Sequence, residues 1–287
     1  MNPVVLGLLA AVGLGTADFL ARFSARRLGA VPVYAFVLLV GAVGSTLWFF
    51  GSEHEIVWSP LGFVLAILHG LSVTAMCVLL YKGLARGPVA IVAPIVAAHP
   101  ALVLAVNVVM GTRPSATQWG AMIAIIAGGI LIARTADSHP HFASVNREEM
   151  RKTLLIASAA CLAYVALLLT GQAAARSIGE LQTLWIGRCS GLVFVVLLLF
   201  IQRQTMKIPA TWLPLLLAQG LLDSAGYAAL LAGLSTAAPH IAMVMASTFS
   251  VFTVGLAVLI LKEPVSRQHA LAIILISIGS AVLAAST

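Results

Sequence analysis

Apolar stretches of twenty or more residues, separated by short polar groups, follow one another from one end of this chain to the other. A hydrocarbon core takes about 20 apolar residues per helical crossing. The pattern predicts ten helices, approximately 3–22, 30–50, 59–82, 88–110, 115–134, 152–172, 180–201, 211–232, 238–261 and 268–286. Turn-formers and charges mark the joints, as in Gly51-Ser52-Glu53-His54-Glu55, Arg86-Gly87-Pro88 and Lys262-Glu263-Pro264. The longest joint, from Arg134 to Lys152, is the only polar segment resembling a linker.

Composition fits that picture. The chain has 287 residues, 61% hydrophobic and 9% charged, with a mean hydropathy of +1.07. A soluble domain of this size needs a charged surface that these residues do not supply. The formal charge of +7 would suit nucleic acid, but the basic residues sit singly or in small groups between apolar runs and form no stripe, so no nucleic-acid partner is expected. The lipid bilayer is the expected environment. Cys77, Cys161 and Cys189 each fall inside an apolar run with no paired or metal-ligand spacing, and read as packing residues; neither metal nor cofactor is expected.

The basic residues fix a direction. Joints after odd-numbered helices hold Arg22, Arg26, Arg27, Lys82, Arg86 and most of the rest, whereas those after even-numbered helices hold Arg113 and Arg176. The positive-inside rule then puts both termini outside, periplasmic in a bacterial inner (plasma) membrane. The first apolar run has no basic residue before it, so it reads as a retained helix rather than a signal peptide.

A shift of about 150 residues aligns the chain with itself without gaps. Ala25-Arg26 and Gly29 fall on Ala175-Arg176 and Gly179. Gly41 falls on Gly191, Gly70-Leu71 on Gly220-Leu221, and Gly83-Leu84 on Gly233-Leu234. Pro114 and Gln118 fall on Pro264 and Gln268, and Gly129 on Gly279. Five crossings is an odd number, so the second copy enters the bilayer from the other side. The expected fold is an all-α membrane protein of two inverted five-helix repeats around a central cavity. The repeats are residues 1–136 and 151–287, joined by a loop over 137–150.

The residues that carry this repeat also resemble a family. Gly83-Leu84-Ala85-Arg86-Gly87-Pro88-Val89-Ala90, leading through Pro100 to Pro114 and Gln118, resembles the drug/metabolite transporter superfamily. So does Gly233-Leu234-Ser235-Thr236-Ala237-Ala238-Pro239, leading to Leu261-Lys262-Glu263-Pro264, Gln268 and Gly279. More narrowly the chain is similar to the EamA family, whose repeats carry this Gly/Pro helix start and a Glu after the long helix. The first copy departs from that pattern with Gly111-Thr112-Arg113-Pro114, so Glu263 reads as a helix-end residue rather than half of a symmetric ion site. The resemblance implies alternating access for small metabolites, with export of neutral and aromatic amino acids as the leading expectation.

Ionisable groups inside a membrane are costly and usually face a cavity or a partner. Arg188 and Asp223 are predicted at one depth, about 8 and 9 residues below the outer surface, close enough to pair. Their repeat mates are Leu38 and Val73, so the pair breaks the symmetry. It reads either as a structural ion pair or as the contact for a zwitterionic head group. Gln219, Asp223 and Tyr227 recur at four-residue spacing, which places them on one face, and their repeat mates are His69, Val73 and Cys77. Ile95, His99, Val103 and Asn107 repeat that spacing, with mates Met245, Phe249, Thr253 and Ala257. Such stripes suit a cavity around a pseudo-two-fold axis, with Tyr227, Phe249 and Trp185 beside an apolar cargo group. Single His and Tyr residues also hydrogen-bond neighbouring helices, and that reading stays open.

Asp18 is a candidate coupling acid by type, since small drug transporters of the superfamily use a carboxylate on their first helix. Arg22, one turn away, favours a structural i,i+4 pair instead. Pro94 and Pro100 interrupt the fourth helix and mark a hinge or a static kink. Small-residue rows, Ala124 with Gly128 and Ser277 with Ala281, read as close-packing surfaces within the chain or in a homodimer.

The sequence thus points to an exporter whose partner is a small-molecule substrate, an amino acid or similar metabolite. A multidrug or other metabolite exporter of the same superfamily is the alternative. A structural membrane protein would not need buried charges in corresponding helices. Enzyme chemistry is not expected, because no metal spacing, nucleophile elbow or paired catalytic carboxylates are present.

Overall fold

The structure, a computed structural model, describes residues 2–111, 113–138, 147–234, 236–263 and 265–285. Among them the regular elements are helical: α1 (Pro3–Leu28), α2 (Ala30–Gly51), α3 (Pro60–Arg86), α4 (Val89–Ala97), α5 (His99–Val109), α6 (Ala116–Ser138), α7 (Arg147–Ile178), α8 (Glu180–Ile201), α9 (Leu213–Leu234), α10 (Pro239–Ala246), α11 (Phe249–Ile260) and α12 (Arg267–Ala285). One 3-10 turn, Ala210–Trp212, leads into α9. Backbone polar groups in lipid must be satisfied by the protein itself, and helices do so within each segment. Nine spans among the described residues are long and apolar enough to cross, with α4–α5 and α10–α11 each acting as one crossing. The apolar part of α6, Ala116–Ile132, supplies the tenth.

The ends of these helices follow local chemistry. The Asn2 side chain accepts from the Val4 amide at 2.9 Å and Ser59 from Gly62 at 3.2 Å, each with proline at the first helical position. Gly29 and Gly179, equivalent in the two repeats, turn the chain between consecutive helices at φ 90° and 82°. Side chains with a Cβ rarely adopt that conformation, so one residue suffices for each turn. The crossings extend further than the apolar pattern predicts: α1 continues to Leu28, and α7 runs 32 residues from Arg147 to Ile178. Their extra turns carry charges beyond the hydrocarbon span. The polar segment expected as a linker is helical up to Ser138 and again from Arg147, and its centre, 139–146, lies outside the described residues.

The two repeats interlock. α1 packs on α9, α10 and α11 of the second repeat, and its equivalent α7 packs on α3, α4 and α5 of the first. α2 pairs with its own equivalent α8, and α6 with α12. This is the pattern a two-fold axis in the membrane plane requires. Close approach is needed where α1 crosses α11: a Cβ on Gly15 would run into the Phe249 carbonyl and the Phe252 side chain. The largest apolar cluster, with Tyr34, Tyr81, Leu84 and Val254 in it, spans α1, α2, α3 and α4 and draws in residues of α7, α8, α9, α11 and α12. Because ten crossings return to their starting side, both chain ends share one membrane face, called here the termini face.

Candidate functional site

The fourth and ninth crossings break at equivalent positions by different chemistry. Between α4 and α5 the break falls at Ala98. Pro100 has no N–H to offer Val96, and the ring of His99 takes that acceptor instead, Nδ1–H donating to the Val96 carbonyl at 3.1 Å. Pro94 lies inside α4 without ending it. Between α10 and α11 there is no proline. Ser247 and Thr248 turn their hydroxyls back on the carbonyls of Val244 and Met245, each at 2.7 Å, and the helix restarts at Phe249. His99 and Phe249 are therefore equivalent residues, each opening the second segment of its crossing.

A cavity of ≈ 320 Å³ lies at these breaks. Its wall includes Leu14, His99, Val103, Asn107, Tyr164, Leu168, Gln172, Leu230, Met243, Ser247, Phe249 and Ser280. Among the described residues no Asp, Glu, Lys or Arg lines it. The lining lies at the breaks or on their termini side, and the equivalents of Val103 and Asn107, Thr253 and Ala257, are fully buried. The space therefore opens toward the termini face, and α4 packs on α11 to close the other. No packing of similar extent joins α5 to α10 among the described residues.

The His99 ring stacks on Tyr164, centroids 3.7 Å apart and planes 10° from parallel. With Nδ1 committed to Val96, Nε2 is left as an acceptor at the cavity wall. Thr253 fixes the second crossing from behind, its hydroxyl reaching the Gly15 and Phe249 carbonyls at 3.0 Å each.

The other predicted site residues are placed elsewhere. Arg188 and Asp223 do meet, Nη2 to Oδ2 at 2.8 Å, with side chains 5% and 13% exposed. The guanidinium also sits 4.7 Å from the centre of the Tyr227 ring. Arg188 and Tyr227 line a separate crevice of ≈ 270 Å³ between α2, α8 and α9, beside Trp48 and Leu221. Gln219 is fully buried and accepts from the Ser24 hydroxyl at 2.8 Å. His69 Nδ1 donates to the Leu167 carbonyl at 2.9 Å, joining α3 to α7. Trp185 stacks on Phe49 at 4.6 Å and donates to Thr46 Oγ1 at 3.1 Å. Cys77 packs against the main apolar cluster. None of these four lines either cavity.

One expected contact is replaced. Arg22 does not pair with Asp18; its Nη1 donates to the carbonyls of Leu84 at 2.6 Å and Gly87 at 2.8 Å. Three carbonyls left unpaired at the end of α3 form a stronger claim on a guanidinium than a carboxylate one turn back. Tyr164, Leu168 and Gln172 were not singled out in the sequence, although their four-residue spacing on a long apolar helix was a readable stripe.

Inverted repeats, paired helix breaks at mid-membrane and a cavity opening to one face define a multi-pass membrane transporter. The chain belongs to the EamA-like transporter family, whose sequence model matches residues 1–134 and 151–285. A search of curated proteins returned no match. A solved structure, described as the crystal structure of a protein, shares the fold with a TM-score of 0.64 and 16% identity, over 98% of this chain and 96% of that one.

Proposed function

We propose that this transporter exports small uncharged or zwitterionic organic solutes, neutral and aromatic amino acids foremost, by alternating access across a bacterial inner membrane. The observation that carries this reading is the uncharged cavity between the two helix breaks, walled by His99, Tyr164 and Phe249. Aromatic faces favour planar or apolar cargo groups. Asn107, Gln172 and Ser247 supply hydrogen-bonding dipoles for a polar head. A cationic drug would enter without a counter-charge, which disfavours the multidrug alternative.

The distribution of Lys and Arg supports a periplasmic termini face, so the cavity is read as open to the outside. The interlocked packing favours moving units that mix the repeats, α1 with α9–α11 against α7 with α3–α5, rather than one sequence half rocking on the other. Counterflow tests the reading: proteoliposomes preloaded with unlabelled phenylalanine should accumulate labelled phenylalanine, and His99→Ala should abolish that accumulation. No flux with any neutral amino acid would sink the substrate assignment.

A further inference from the structure

We propose that Glu263 and Arg22 are the positioning residues of a one-sided latch that holds the face opposite the termini shut. They grip the same turn. Gly87 and Pro88 connect α3 to α4, and both are buried where the opposite face closes. Glu263, just past α11, accepts from the Val89 amide at 3.1 Å and the Ala90 amide at 3.0 Å, using one carboxylate oxygen for each. Arg22, on α1, accepts nothing and donates to the last carbonyls of α3 and to Gly87. Each charge meets the helix end of opposite partial charge: the anion sits at an N-terminus and the cation at a C-terminus. Lys262 takes the left-handed conformation, φ 53°, and this reversal aims Glu263 back at α4.

Among the described residues the latch has no counterpart on the termini face. The equivalent of Glu263 is Arg113, exposed and of the wrong sign for a helix N-terminus. The equivalent of Val89 is Pro239, which has no amide hydrogen to donate. The equivalent of Arg22 is Gln172, which lines the cavity instead. Acid, donor and cation are thus all exchanged in the second copy of the motif. The duplicated scaffold permits two gates related by the two-fold axis, and among the described residues charge-assisted hydrogen bonds of this kind remain at one. The resting protein therefore keeps its cavity open to the termini face, and closing cycles must break these bonds. The consequence for transport rests on the alternating-access reading, whereas the test reads conformation alone.

Single reporter cysteines at Asn107→Cys, in the open cavity, and Ala257→Cys, its buried equivalent, are labelled with a maleimide in detergent, in a background without Cys77, Cys161 and Cys189. The parent should label fast at the first position and slowly at the second. Glu263→Ala should speed the second by about fivefold to tenfold, the scale expected for charge-assisted bonds at a helix end, and slow the first by a smaller factor, because the open population starts as the major one. Arg22→Gln should move both rates in the same sense, and Glu263→Gln, which keeps one acceptor, should fall between. The pair Arg113→Glu and Pro239→Val builds a rival latch on the termini face and leaves Glu263 in place; it should slow labelling at the first position. Unchanged rates in monodisperse Glu263→Ala protein overturn the proposal. Should that variant not fold, unchanged rates in the Arg113→Glu, Pro239→Val protein overturn it equally. Failure of amino-acid counterflow would count against the cargo and leave these rates as they are.

Discussion

His99 and Phe249 open the second segments of two broken crossings, in equivalent positions of the two repeats, and face one cavity from both sides. One is held by a ring-to-carbonyl hydrogen bond and a stack on Tyr164, and the other follows a Ser–Thr pair that folds back on its own helix. The scaffold repeats, while the means of breaking the helix do not.

His99→Phe places the second repeat's residue in the first. The stack on Tyr164 survives, but the bond to Val96 and the Nε2 acceptor are lost. We expect a folded protein whose KM for an aromatic cargo rises severalfold, with a loss of about 1 kcal/mol in stability from the missing hydrogen bond. Counterflow titrations and a melting curve by fluorescence-detected gel filtration check both.

Arg188 and Asp223 provide a test of pairing. Arg188→Leu or Asp223→Asn alone leaves an ion buried without its partner, and each should cost about 3 kcal/mol. The double variant should recover much of that loss. A double-mutant cycle of melting temperatures measures the coupling; additive losses would show that the 2.8 Å contact contributes little.

Gly15 and Gly255 offer a contrast. A Cβ at Gly15 meets the Phe249 carbonyl, whereas one at Gly255 meets nothing within 4 Å. Gly15→Ala should therefore force α1 from α11, costing about 1–3 kcal/mol, and Gly255→Ala should be neutral or stabilising. Thermal stability of the two purified variants decides it.

Arg22 is committed to α3 and makes no ion pair with Asp18. If Asp18 carries a coupled proton, Asp18→Asn abolishes the part of amino-acid flux that responds to an imposed pH gradient and leaves equilibrative exchange intact. Equal responses in parent and variant assign Asp18 to packing.

Much of the frame was legible in the sequence because lipid makes hydropathy almost decisive and because duplication leaves aligned turn residues. Gly29 and Gly179 matched in the sequence and make the same positive-φ turn in the structure. The depth argument brought Arg188 to Asp223. What the sequence hid depends on contacts between distant segments. Arg22 has a local carboxylate on its own helix, and only the docking of α1 against α3 presents it with better acceptors. Ser247 and Thr248 bond to preceding carbonyls as such residues do in many unbroken helices, so nothing local announced a break there. The polar stripe on α9 reads like a cavity wall, yet Gln219 pairs with Ser24 and Asp223 with Arg188 within the packed interior.

The interlocking of the repeats bears on how the chain is made. α1 emerges from the ribosome first and finds its principal neighbours, α9 to α11, last. Until then its face with Gly7, Gly13 and Gly15 has only lipid to touch. Neither five-helix half can complete its own interior. Biogenesis of this transporter therefore hinges on its second half arriving, and truncation after the first repeat should yield a product that quality control removes rather than a smaller working carrier.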